Sequence, residues 1–128
     1  MKEKIINQTV IDGNLEFDGK LIFADDLGLV KVNGFIKAGI IIVGKGTSIK
    51  AGWYIEAGGD IKAGGSIKAG ESIKAGWYIE AGGDIKAGED YGIYASLSIK
   101  ISLKKEYGYI TAKSEPKNII CGFWKPLK

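Results

Sequence analysis

The sequence predicts an all-β fold: a short single-chain parallel β-solenoid of hexad repeats with a non-repeating C-terminal cap. Three observations lead there. Isoleucine recurs every six residues at Ile49, Ile55, Ile61, Ile67, Ile73, Ile79 and Ile85, each followed two residues later by Ala and then by Gly. The segment Ser48–Gly64 returns unchanged as Ser72–Gly88, so a 24-residue unit is laid over the six-residue one. Fixed short periods of this kind mark solenoids. A glycine every six residues would also cost a helix about 1 kcal/mol each relative to Ala, which leaves strands.

At 128 residues the chain is expected to form one domain, divided into N-terminal strands or first coils (1–35), the solenoid proper (36–104) and a cap (105–128). Within 1–35, Leu15, Leu21 and Leu27 are six apart, as are Gly13 and Gly19. Asn14–Asp18 alternates polar and apolar residues, as a half-buried strand does. Asp12-Gly13 and Asp18-Gly19 fit corners of a first coil, with hairpin turns as the alternative.

Val30, Ile36 and Ile42 continue the rhythm, but Ile36 to Ile49 is 13 residues, one more than two hexads. Gly44-Lys45-Gly46 is the expected place for the extra residue, as a bulge. In each Ile-Lys-Ala triplet, Ile and Ala share the inward face and Lys points to water. Gly is expected to turn the corner through a positive φ, with two variable residues completing it. After Gly88 the Ala-Gly pair is lost; Tyr91, Leu97, Leu103 and Tyr109 are expected to hold the inward positions. Ser96–Lys104 alternates strictly and reads as a longer strand. The tail with Pro116, Cys121, Phe123, Trp124 and Pro126 reads as the cap.

Charge decides between 18 and 24 residues per coil. Stacked strands lie about 4.8 Å apart, so outward charges in one column interact. With 24, Lys50 meets Lys74, Glu56 meets Glu80 and Lys62 meets Lys86, all repulsive. With 18, Glu56 meets Lys74 and Lys62 meets Glu80; only Lys50–Lys68–Lys86–Lys104 stays uniformly positive. Pairing favours 18, hence a three-sided solenoid of about four coils, with four sides as the alternative.

The phrase Ile-x-Ala-Gly-Gly-Asp-Ile at Ile55–Ile61 and Ile79–Ile85 resembles the hexad-based β-helices of bactofilins and of DUF342-type proteins. Ile-Lys/Glu-Ala-Gly-x-x repeats followed by a tail such as Asn118–Gly122 also resemble small phage and mobile-element proteins. The first resemblance implies end-to-end self-assembly. The second implies a phage-type inhibitor of a host defence protein, similar to anti-CRISPR factors.

The chain spells out no reaction. It contains no histidine, which argues against the hexapeptide acyltransferases and their His base. Cys121, the only cysteine, has no activating partner in view. Gly58-Gly59-Asp60 and Gly82-Gly83-Asp84 lack the continuation of calcium-binding nonapeptides. No enzyme activity, cofactor or metal is expected. The net charge of +3 demands neither nucleic acid nor membrane. Met1–Gln8 holds no apolar leader and no run reaches the roughly 18 apolar residues of a span, so a cytoplasmic protein is expected, in a cell or an infected host.

Two surface features remain. The corner dipeptides Trp53-Tyr54 and Trp77-Tyr78 stand where Gly, Ser, Asp or Glu serves elsewhere; exposed Trp and Tyr favour protein binding. Lys50, Lys68 and Lys74 lie close by in the repeat and suit an acidic partner. The expectation is a non-catalytic module that binds a host protein through these seven residues. Self-assembly is the alternative.

Overall fold

The computed structural model describes residues 1–97 and 108–126, and the described chain is a parallel β-solenoid of about five turns. Its strands are β1 (Glu3–Ile6), β2 (Val10–Ile11), β3 (Leu15–Phe23), β4 (Gly28–Val32), β5 (Ile36–Val43), β6 (Thr47–Ala51), β7 (Ile55–Ala57) and β8 (Ile61–Ala63). There follow β9 (Ile67–Ala69), β10 (Ile73–Ala75), β11 (Ile79–Ala81), β12 (Ile85–Lys86), β13 (Ile93–Tyr94), β14 (Tyr109–Ala112), β15 (Ile119–Cys121) and β16 (Phe123–Pro126).

Three faces result. Face 1 stacks the first halves of β3 and β5, then β7, β10, β13 and β15. Face 2 stacks β1, the second halves of β3 and β5, then β8, β11, β14 and β16. Face 3 stacks β2, β4, β6, β9 and β12. Because β3 and β5 bend across the edge between faces 1 and 2, those two faces form one 11-stranded sheet. Every strand pairing among the described residues is parallel, so Asp12-Gly13 and Asp18-Gly19 belong to the first coil and not to a hairpin.

The 18-residue coil holds through the repeats. Ile49, Ile67 and Ile85 are in register, as are Ile55 with Ile73 and Ile61 with Ile79. Their side chains, with the alanines two residues on, form the core. Outward charges pair as the 18-residue coil requires: face 1 runs Glu16–Lys37–Glu56–Lys74, and Lys62 stacks with Glu80 on face 2. A further ladder runs up the edge between faces 2 and 3. Ser66 N–H donates to Ser48 Oγ (2.8 Å), Asp84 N–H to Ser66 Oγ (3.0 Å), and Ser114 Oγ to Asp84 Oδ1 (3.0 Å).

The rhythm departs from expectation where corner lengths change. Ile41, not Ile42, faces inward, because the corner after Ala38 has two residues, Gly39 and Ile40, where the regular corner has three. The corner at Gly44-Lys45-Gly46 is correspondingly longer, and Thr47 enters the core with its hydroxyl donating to Ala24 O and accepting from Leu27 N–H. Higher up, Ile93 and not Tyr91 stacks on Ile73, and Tyr91 is exposed. Leu97 is exposed in a turn, and Ile110 rather than Tyr109 takes the inward place over Ile79. Leu103, Lys104 and most of the expected 96–104 strand lie outside the described residues.

The repeat glycines also differ from expectation. Positive φ occurs at Gly13, Gly19, Gly28, Gly46 and Gly122, but not at Gly52, Gly64, Gly70, Gly82 or Gly88. Those five are constrained by close stacking: a Cβ on Gly70 would lie 2.2 Å from Gly52 O, and one on Gly88 2.1 Å from Gly70 O. At the non-repeating end, Trp124 is in register with the inward Ile110 and is half-buried there.

Candidate partner-binding surface

The two aromatic corners occupy adjacent edges, one coil apart. Trp53-Tyr54 connects β6 on face 3 to β7 on face 1; Trp77-Tyr78 connects β10 on face 1 to β11 on face 2. The 24-residue sequence unit in an 18-residue coil causes this shift, since each copy begins one face further round. Backbone bonds fix both corners. Trp53 N–H donates to Gly34 O (3.2 Å) and Glu71 N–H to Trp53 O (3.0 Å). Trp77 N–H donates to Gly59 O (3.2 Å) and Ser96 N–H to Trp77 O (2.7 Å).

Within each corner the two rings have different environments. Tyr54 stacks on Phe35 with centroids 4.8 Å apart and planes 3° apart; Tyr78 stacks on Tyr109 at 4.8 Å and 7°. Both tyrosines are half-buried, and such pairs stabilise a fold by about 0.5–1.5 kcal/mol beyond area burial. The tryptophans project: Trp53 is 57 % and Trp77 39 % exposed. Phe35 and Tyr109 were not legible as stacking partners, because they sit 19 and 31 residues from their rings, across coils of irregular length.

Face 1, between the two edges, presents Glu56, Lys74 and Tyr94 in register, with Lys74 Nζ 5.5 Å from the Tyr94 ring centroid. Lys50 and Lys68 stand instead on face 3, stacked with Lys31 below and Lys86 above. Face 3 shares the Trp53 edge but not the Trp77 edge. The structure therefore separates the seven expected residues into a face bounded by two tryptophans and a lysine column beside one of them.

The Tyr78 edge is electrostatically coupled. Burial, the charges of Asp60, Tyr109 and Glu80, and a hydrogen bond to Asp60 push the Tyr78 phenol from 10.0 up to about 12. Burial also raises Tyr109, helped by Glu80 and Asp60. Burial raises the Asp60 carboxyl against the opposing bonds from Tyr78 and the charge of Lys62. A raised phenol keeps its proton in the folded chain where the unfolded chain releases it. Its contribution to stability is full below about pH 10 and is lost as pH rises to about 12. Tyr78→Phe is expected to flatten the fall of melting temperature over that window, leaving the smaller part due to Tyr109. Thermal melts of both proteins across it check this.

Cys121 Sγ lies 3.8 Å from Ser96 Oγ. Among the described residues no group of three or more Cys, Asp or Glu side chains is placed to hold a metal ion. Nor is any described helix long and apolar enough to cross a membrane.

No protein-family model, curated protein or solved structure matches this chain.

Proposed function

We propose that this protein is a non-catalytic interaction module that grips a partner protein across face 1 and its two bordering edges. The observation that supports this is the outward projection of Trp53 and Trp77 from adjacent edges of one face. Large rigid aromatics bury much area at little entropic cost. Tyr54 and Tyr78 brace the corners from within the stacks, and Lys74 lies between them. Lys50 and Lys68, on the neighbouring face, suit an acidic surface on the partner. The narrower reading, a phage-type inhibitor of a host defence protein, belongs to the same proposal and rests on the resemblance of the Ile-Lys/Glu-Ala-Gly-x-x repeats and the tail that follows them.

A second reading, end-to-end self-assembly, is favoured by the N-terminal end. There β1 and β2 each pair on one side only among the described residues, Ile5 is 61 % and Val10 65 % exposed, and residues 1–26 hold six carboxylates against three lysines. Lys113, Lys117 and Lys125 stand toward the opposite end.

Capture from host lysate by the wild type and by the Trp53→Ala/Trp77→Ala variant separates the readings. Gripping predicts that the double variant loses the captured partner while its circular dichroism and monodispersity are unchanged. Unchanged capture would remove the tryptophans from the site. Polymers that grow with concentration in light scattering, in both proteins alike, would favour assembly.

A further inference from the structure

The same Ile-x-Ala triplet builds all three faces, and its middle residue is free to be Lys or Glu. Face 1 alternates sign at every step from Glu16 to Lys74. Face 3 never does: Lys31, Lys50, Lys68 and Lys86 stack in register over four successive coils. All four are exposed, and among the described residues none forms an ion pair. Stacked like charges about 4.8 Å apart repel, so this column lacks the compensation that the neighbouring face has.

A groove of about 360 Å³ runs alongside it. Lys50, Lys68 and Lys86 form one wall, and Ala51, Gly52, Ala69, Gly70 and Ala87 line the rest. One residue after the corner glycines, Trp53, Glu71 and Glu89 mark the edge beyond the groove.

We propose that this groove is a docking site for an extended acidic polypeptide segment laid along the solenoid axis. The inference rests on the interaction-module reading and names the chemistry of the partner. In an extended peptide successive side chains point to opposite sides. Carboxylates at every second position then face the lysine wall, while the residues between them face Glu71, Glu89 and Trp53. A nucleic acid strand carries a charge on every nucleotide and would bring phosphates against both glutamates as well. The cations of this chain are all lysine, so no planar guanidinium is present to take phosphate in bidentate fashion. Flexible lysine stems bridge the mismatch between the rung spacing of about 4.8 Å and the roughly 6.8 Å between alternate peptide side chains.

The test is fluorescence anisotropy with a labelled peptide of alternating Glu and Ser, about twelve residues long, and with an oligothymidylate of equal length. Lys50→Glu/Lys86→Glu gives face 3 the alternating signs of face 1. Lys37→Glu/Lys62→Glu makes the same change in net charge on the other two faces. The wild type is expected to bind the peptide with an affinity that falls as salt rises. The face 3 variant should bind at least tenfold more weakly, and the charge-matched variant within about threefold of wild type. Absence of peptide binding, or equal binding by the face 3 variant, would overturn the groove as a docking site and leave the tryptophan face to its own capture test. Tighter binding of the oligothymidylate would overturn both the acidic-peptide proposal and the protein-interaction reading beneath it.

Discussion

Gly70→Ala is expected to destabilise the protein by about 3 kcal/mol, the upper part of the usual range for overpacking. The added Cβ would lie 2.2 Å from Gly52 O and 3.1 Å from its carbonyl carbon, both backbone atoms of the coil below. That backbone is held in place: Gly52 N–H donates to Val32 O (2.9 Å) and Gly70 N–H to Ala51 O (3.0 Å). Relief therefore requires the coils to part. Gly58 occupies the same place in its hexad and gives the control. A Cβ there meets only Gly39 O at 3.7 Å, an ordinary contact, and its φ is not positive. The two-residue corner beneath it causes the difference. Gly58→Ala should be neutral or add a few tenths of a kcal/mol, by restricting the unfolded chain (about 0.4–1 kcal/mol at compatible sites). Urea denaturation of the two variants checks the contrast; equal midpoints would show that stacking does not select glycine at Gly70.

Ile61→Ala is expected to cost about 3–4 kcal/mol, within the range for removing a buried branched side chain. Ile61 is fully buried, with Ile41 in register below and Ile79 above. The cost of such a cavity depends on how far its walls can collapse. Here hydrogen-bonded strands hold the walls at the fixed rung spacing from both sides. Ile42→Ala removes the same atoms from an outward, half-buried position one residue along from Ile41 and should cost far less. Denaturation midpoints for the pair check this. A small effect at Ile61 would mean that the coils can slide to fill the gap.

The regular part of the fold was legible because equal corners make spacing and stacking the same thing. Isoleucines six apart, read with the signs of Glu56, Lys74, Lys62 and Glu80, were enough to choose three sides over four. Legibility ended where corners change length. A corner shortened at Gly39-Ile40 and lengthened at Gly44–Gly46 leaves Ile36 and Ile49 only one residue out of phase, yet it turns Ile42 outward and Ile41 inward. Similar slips concealed Ile93 and Ile110, and they concealed Lys31 as the lowest rung of the lysine column. The reason for the glycines was hidden differently. Sequence alone does not distinguish a residue chosen for its backbone angle from one chosen because a carbonyl of the next coil occupies its Cβ position. In the candidate surface, Trp53 and Trp77 were legible as out of place at a corner. The separation of Lys50 and Lys68 from Lys74 needed the faces to be assigned.

The mismatch between sequence unit and coil has a consequence for how such a chain can change. One turn uses three hexads, whereas the internal copy recurs after four. Duplicating four hexads lengthens the rod by one turn and also rotates everything above the insertion by a third of a revolution. Such a screw motion would set a second tryptophan beside the face the first already borders. A gain or loss of one hexad would likewise swing the distal strands to a new azimuth while preserving every Ile-on-Ile contact in the shaft. Length and the angular placement of surface groups are thus inherited together, and a single recombination step can redirect what the protein displays without disturbing how it folds.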